Sequence, residues 1–133
     1  MALHEQLVGE VERMAARVPE ALARHQTRLR ERLRALLGEV TLDEGRLAME
    51  VALWAEKTDI SEELARLKAH LEQSLKLLRE GGSIGRTLDF LIQEMNREVN
   101  TVASKADDLD LSQAAIAAKG ILEKLREQIQ NLE

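Results

Sequence analysis

Apolar residues recur at every third or fourth position along most of the chain, which is the spacing of one face of an α-helix. Two helices are predicted in the first part of the sequence, one ending at Leu37 and one running from Asp43 to about Lys57. Three longer seams predict the remaining helices: Ile60, Leu64, Leu67, Leu71, Leu75 and Leu78; Leu88, Ile92, Met95, Val99 and Val102; and Leu111, Ala115, Ala118, Leu122, Leu125, Ile129 and Leu132. No strand alternation or hairpin turn interrupts them. We therefore predict an all-α fold, an antiparallel bundle of about five helices that includes long, coiled-coil-like ones.

Residues with strong boundary preferences support this division. Glycine at Gly38 and at Gly81-Gly82 predicts helix ends, and Asp43 predicts an N-cap. Asp59 or Ser61 is the predicted N-cap of the next helix. The only proline, Pro19, predicts a kink or a new helix start near Val18, because proline disfavours a helix at the residue before it.

Composition excludes several classes of protein. The chain has 133 residues, of which 32% are charged and 2% aromatic, and it has no cysteine. A disulfide framework, a thiolate zinc site and a cysteine nucleophile are therefore excluded. No apolar run reaches the roughly 18 residues that a membrane span needs. The first residues do not have the pattern of a signal peptide, so we expect a cytoplasmic protein without a membrane partner.

The net charge of −5 is unfavourable for binding nucleic acid through bulk charge alone. Any such contact requires a local basic stripe, a metal ion or an oligomer that concentrates arginines. The strongest local basic excess lies on the first helix, at Arg24, Arg28, Arg30, Arg32 and Arg34. The alternative interpretation is a solvated helix face with Glu20 and Glu31 as ion-pair partners.

The glycine-rich segment 81–85 joins two helices. It is interpreted as a C-cap followed by a turn, or alternatively as a phosphate-binding loop in which Gly85 and Arg86 open the next helix. The three histidines, at positions 4, 25 and 70, have no metal-ligand spacing among themselves.

A polar stripe on the fourth predicted helix is more informative. It consists of Asp89, Gln93, Asn96 and Asn100, flanked by Glu94, Arg97 and Glu98. Asparagine is a poor helix former, so two of them within five residues indicate a hydrogen-bonding surface rather than ordinary solvation.

On the third helix, Glu63, Arg66 and His70 share one face. Glu63 and His70 are about 10 Å apart along the axis and cannot share one metal alone. His70 could bind a metal or transfer a proton only together with carboxylates from another helix or subunit. The alternative is an exposed or hydrogen-bonded surface histidine.

Residues 85–101, Gly-Arg-Thr-Leu-Asp-Phe-Leu-Ile-Gln-Glu-Met-Asn-Arg-Glu-Val-Asn-Thr, resemble the YicC/YloC family of bacterial proteins. So do residues 42–47, 50–64 and 126–133, and the resemblance covers nearly the whole chain. It implies the C-terminal half of a metal-dependent endoribonuclease, long labelled stress-induced, that assembles as a ring-like homo-oligomer, expected to be a hexamer. Family members are about twice as long, and Thr87 stands where they usually have Lys or Arg. We expect one domain, with residues 1–40 as a helical arm and 41–133 as the core that carries the motifs.

Two functions are compatible with these residues. In the first, the chain is an RNA-cleaving module in which carboxylates hold Mn²⁺ or Mg²⁺ and arginines hold phosphates. The candidate catalytic residues are His70, Glu94 and Glu63; the candidate metal ligands are Glu50, Glu94 and Glu98; the candidate RNA-binding residues are Arg66, Arg86, Arg97, Asn96, Asn100 and Lys105. In the second, the chain is a helical oligomerisation domain without activity, and the same polar residues form contacts between helices or subunits.

Overall fold

A computed structural model describes residues 2–81 and 84–132, and within this part of the chain every regular element is an α-helix. The all-α prediction is confirmed. The helices are α1 (Ala2–Leu37), α2 (Glu44–Lys57), α3 (Ser61–Glu80), α4 (Gly85–Lys105) and α5 (Leu109–Leu132).

Four segments form the bundle: the first half of α1, and the whole of α3, α4 and α5. The apolar seam predicted for α4 and that of α5 as far as Ile129 face its core, and Leu7, Val11 and Met14 complete the core from α1. Short connections make α3 antiparallel to α4, and α4 antiparallel to α5. Since α5 begins beside Arg17, it runs back along the first half of α1.

Helix boundaries follow the predicted capping residues closely. Asp43 accepts a hydrogen bond from the Arg46 amide at 3.1 Å, and Gly38 follows α1 with a φ of 60°. At α3 the capping position falls on Ile60, but the Asp59 carboxylate accepts hydrogen bonds from both the hydroxyl and the amide of Ser61. These two bonds lower the pKa of Asp59.

Pro19 lies inside α1, which continues unbroken through it. The prediction of a new helix start near Val18 is therefore wrong. Proline removes one main-chain hydrogen bond, but tertiary contacts hold the helix on both sides of it. Before Pro19 the helix packs in the bundle, and after it the helix pairs with α2. Local preference is overridden by this packing.

The second half of α1 and α2 form a two-helix unit, residues 22–57, which we call the hairpin. Leu47 and Val51 are its buried apolar side chains, whereas several large apolar side chains remain more than half exposed. These are Leu36, Val40, Met49 and Leu53. The hairpin thus has a much thinner core than the bundle.

The division of the chain after residue 40 stays a prediction. In the structure the first half of α1 packs into the bundle core, while its second half belongs to the hairpin. Among the helices of the described part, none is long and apolar enough to cross a membrane.

Candidate functional site

The polar stripe predicted on α4 lines an open groove of about 500 Å³. We call it the α4 groove. Its lining residues are Gln93, Asn96, Arg97, Asn100, Thr101, Ser104 and Lys105. This surface offers hydrogen-bond donors and acceptors on a helix whose opposite face is buried in the core, so its polar groups have a rigid support.

Some polar groups of the stripe bond to each other or to α5. The Gln93 amide donates to Asp89 at 3.1 Å, and Lys119 of α5 donates to the Asn100 carbonyl oxygen at 3.1 Å. Arg97 is different. Its side chain is 74% exposed, and its ion pair with Glu94 is long, at 3.8 Å. The Arg97 guanidinium is therefore available to an anion in the groove.

Beside the groove, buried carboxylates link α3 to α4. Glu63 and Glu98 are both buried, one on each helix. Lys105 donates to both Glu63 oxygens at 3.2 Å and to the Asp59 carbonyl at 3.1 Å. Arg66 donates to Glu98 at 2.8 Å and lies 3.6 Å from Glu63. Two carboxylates and two cations thus form one continuous network.

This network compensates charges that would otherwise be costly to bury. The hydrogen bond from Arg66 to Glu98 raises the pKa of Arg66, so the guanidinium stays charged. Lys105 belongs to both the network and the α4 groove, and the network fixes its position there. Glu63 was predicted to be catalytic and Glu98 to ligate metal, but in this chain both hold the cations Lys105 and Arg66.

His70 lies on α3, one helical turn beyond Arg66, and is half-buried. Its Nδ1 atom is buried and has no hydrogen-bond partner among the described residues. Glu94, also half-buried, makes only the long contact with Arg97. These two groups remain candidates for proton transfer or ligand binding because no short bond to another side chain occupies them within residues 2–81 and 84–132.

The predicted metal ligands are not brought together within one chain. Glu94 and Glu98 lie one turn apart on α4, but Glu50 lies on α2, beside Leu33 and Leu37 of α1. In the described part of the chain, no group of three or more His, Asp or Glu side chains is close enough to hold an ion. A site with three protein ligands therefore requires side chains from outside this part of the chain.

The remaining predicted positions lie apart from this cluster. Arg86 is exposed at the opposite end of α4 from Lys105, about 28 Å away along the axis. Gly81 ends α3 with a φ of 73°, as the C-cap interpretation predicts. Gly82 and Ser83 of the glycine-rich segment lie outside the described residues, so the choice between turn and phosphate loop stays open.

A second groove adjoins the first and was not predicted. It has a volume of about 510 Å³, and its lining includes Trp54, Lys57 and Asp107 together with Ser104 and Lys105 of the α4 groove. The sequence carries no local signal for it, because α2 and the α4–α5 turn are about 50 residues apart. Only the tertiary fold brings Lys57 to this surface.

Comparison with known proteins gives consistent results. The sequence profile described as "Endoribonuclease YicC-like, C-terminal" matches residues 14–133. The chain is 43% identical over 127 residues to a protein of Clostridioides difficile (strain 630) named "Probable endoribonuclease YicC", covering 95% of this chain and 42% of that protein. It is 38% identical over 129 residues to a protein of the same name from Haemophilus influenzae, covering 97% and 44%. The chain thus spans less than half the length of these relatives.

Proposed function

The chain belongs to the family of YicC-like endoribonucleases, as their C-terminal domain, and we propose that it is the module that holds RNA for cleavage. The observation that carries this proposal is the α4 groove, in which an exposed arginine and a fixed lysine stand among amide and hydroxyl groups. Guanidinium and ammonium groups bind phosphate, while amides bind phosphate and ribose oxygens. With two aromatic residues besides histidine in the chain, recognition rests on the backbone rather than on base stacking.

The two cations have different mechanical roles. Arg97 is free to follow a phosphate, whereas Lys105 is held between Glu63 and the Asp59 carbonyl. A fixed cation loses little freedom on binding and stabilises the charge that develops on phosphate oxygens during cleavage. Glu94 and His70 are the candidates to exchange a proton with the attacking or leaving oxygen. Glu94 lies within the segment of α4 that lines the groove, and His70 lies on α3, across the α3–α4 contact.

A divalent cation is part of the proposed activity, since Mn²⁺ or Mg²⁺ can activate a nucleophile and neutralise phosphate. Within residues 2–81 and 84–132, the side chains of one chain do not fit such an ion. Glu63 and Glu98 are neutralised by lysine and arginine, and the described part of the chain has no three-ligand group. We therefore propose that carboxylates of a second chain in a homo-oligomer, or side chains from the other half of a full-length family member, complete the coordination of the ion.

The test is cleavage of a long single-stranded RNA by the purified protein, with Mn²⁺ and then with EDTA. We expect Arg97→Ala and Glu94→Gln to lower the rate by at least about 100-fold, because both side chains act on the transition state. Arg79→Ala, an exposed arginine on α3 away from the groove, is the matched control and should cleave like the unmodified protein. The thermal midpoint is measured for each variant.

Full activity in Arg97→Ala and Glu94→Gln would contradict the site assignment. A large fall in thermal midpoint with a proportional loss of activity would assign these residues to structure instead. Cleavage that persists in EDTA would contradict the metal requirement.

A second candidate function is assembly without catalysis. It is favoured by the exposed apolar side chains of the hairpin, which a partner could cover. Under this alternative the polar groups of α4 would form contacts between subunits, the purified protein would not cleave RNA, and variants of the α4 groove would change the oligomer mass.

A further inference from the structure

A third groove, of about 240 Å³, lies where the hairpin meets the turn between α4 and α5. We call it the hairpin groove. It is lined by His25, Arg28, Leu29, Arg32 and Asp107. None of these residues lines the α4 groove, and a single aliphatic side chain is present. The lining is cationic on a chain whose net charge is −5.

The arginines of this helix divide into two groups in the structure. Arg24 pairs with Asp108, and Arg30 pairs with Glu44. Arg28 and Arg32 are exposed, and across residues 2–81 and 84–132 neither has an acidic side chain within ion-pair distance. They lie four residues apart on one helix face, about 6 Å along the axis. Both are exposed, as on a solvated face, but neither is paired with the predicted partners Glu20 and Glu31.

Contacts between α1, α2 and the α4–α5 turn border the hairpin groove. The rings of His25 and Trp54 stack with their centroids 3.9 Å apart and an interplanar angle of 7°. The Trp54 indole donates to the Asp107 carboxylate at 3.2 Å, which ties α2 to the α4–α5 turn. These contacts link the segment of α1 that carries Arg28 and Arg32 to the α4–α5 turn.

The three grooves adjoin one another through shared lining residues. The middle groove shares Ser104 and Lys105 with the α4 groove, and it shares Asp107 with the hairpin groove. The lysines and arginines along the whole path are Arg97, Lys105, Lys57, Arg32 and Arg28. Asp107 is the one carboxylate among the lining residues of these three grooves.

We propose that the hairpin groove binds the phosphate backbone of the same single-stranded RNA that occupies the α4 groove, so that the strand crosses the α4–α5 turn onto α1. This proposal rests on the proposed function for the identity of the polyanion. A protein partner fits the groove less well, because the centres of protein interfaces are depleted in charge, whereas arginine pairs are typical of phosphate contacts. Asp107 opposes the phosphates at the crossing and limits the affinity there.

The experiment is fluorescence anisotropy of labelled oligouridylates of two lengths, about 4 and about 20 nucleotides, titrated with the protein in EDTA over a range of salt concentrations. The test variant is Arg28→Gln combined with Arg32→Gln. The control is Arg34→Gln combined with Arg79→Gln, which removes the same charge at exposed positions outside the three grooves.

We expect the test variant to bind the longer RNA at least about tenfold more weakly and the shorter RNA as the control does. The slope of log K against log salt for the longer RNA should fall by about 1.4, since each single-strand phosphate contact contributes roughly 0.7. Asp107→Asn, whose side chain can still accept from Trp54, should tighten binding of the longer RNA by a few fold.

Equal affinity of test and control variants for the longer RNA would overturn the proposal. If Arg97→Gln still weakens both RNAs in that case, the proposed function stands and the RNA path ends at α4. If the unmodified protein binds neither RNA, both proposals fail. If the test variant changes only the oligomer mass in light scattering, the groove is a contact between copies of the chain, and the RNA assignment is wrong.

Discussion

Asp108 combines two interactions that hold α5 in the bundle. Its carboxylate accepts the Leu111 amide at 3.1 Å as the N-cap of α5, and it accepts from Arg17 of α1 at 3.0 and 3.3 Å. The side chain is 2% exposed. The Arg17 hydrogen bond is the main reason that the pKa of Asp108 lies below its ordinary value of 3.8. The folded chain therefore binds this proton less tightly than the unfolded chain.

We expect Asp108→Asn to lower the free energy of unfolding by about 2 kcal/mol at pH 7, because it replaces a charged, buried acceptor while preserving its shape and capping ability. The contribution of the carboxylate is complete well above its ordinary pKa of 3.8 and is lost as the pH falls through the lowered pKa. The gap between variant and unmodified protein should therefore be smaller at pH 3 than at pH 7, measured by urea denaturation.

Asp110→Asn is the control for this effect, since Asp110 also lies 3.3 Å from Arg17 but is 43% exposed. It should cost less than about 0.5 kcal/mol. A loss for Asp108→Asn that is the same at pH 3 and pH 7 would contradict the role of its charge. Asp108 was not among the predicted caps, although an aspartate three residues before an apolar seam is a typical N-cap. Its partner Arg17 lies 91 residues away in the sequence, beyond the reach of a local pattern.

At the scale of elements, the sequence predicts helices best where a single face is buried. The seam of α4 and that of α5 as far as Ile129 are buried as predicted, because each of these helices packs against two neighbours in the bundle. The apolar spacing of α1 beyond Pro19 was a weaker guide: it predicts a helix, but it does not say that Leu36 faces solvent. The continuity of α1 through Pro19 depends on packing that a local preference cannot express.

The network of the candidate site was only half visible in the sequence. Helical spacing placed Glu63 and Arg66 on one face of α3, and the structure confirms that arrangement. The bonds from Arg66 to Glu98 and from Lys105 to Glu63 join residues 32 and 42 positions apart, so they depend on the register of α3 against α4. Helical periodicity fixes which residues share a face, but it does not fix that register.

The hairpin should open more readily than the bundle, because α2 packs mainly on α1. We expect the amides of residues 44–57 to exchange with deuterium faster than those of α4, as measured by mass spectrometry. Trp54→Ala removes both the stack on His25 and the bond to Asp107, so it should speed exchange in α2 at least about tenfold without changing α4.

Glu56→Ala is the matched control, since Glu56 lies two residues from Trp54 in sequence and its side chain is exposed. It should change exchange in α2 by less than about threefold. Equal protection of α2 and α4 in the unmodified protein would show that the hairpin is not a separate opening unit, and faster exchange in α4 on Trp54→Ala would show that the hairpin and the bundle open together.

For the molecule as a whole, the feature that bears on self-association is the apolar surface that the hairpin leaves exposed. Its large apolar side chains at positions 36, 40, 49 and 53 are each more than half exposed, whereas single exposed apolar residues elsewhere, such as Ile116 on α5, stand apart in the sequence. Covering this surface by a second copy would bury apolar area on both chains, which favours closed, symmetric assembly. We therefore predict that the protein self-associates through the hairpin, in keeping with the proposed homo-oligomer.

Light scattering at tens of micromolar should give a mass several times 15.0 kDa. Met49→Glu combined with Leu53→Glu should return the protein to a folded monomer with unchanged helical content, because both side chains already face solvent within one chain. Ile116→Glu is the control and should leave the mass unchanged. A monomer for the unmodified protein, or an unchanged mass for the double variant, would remove the hairpin as the assembly surface.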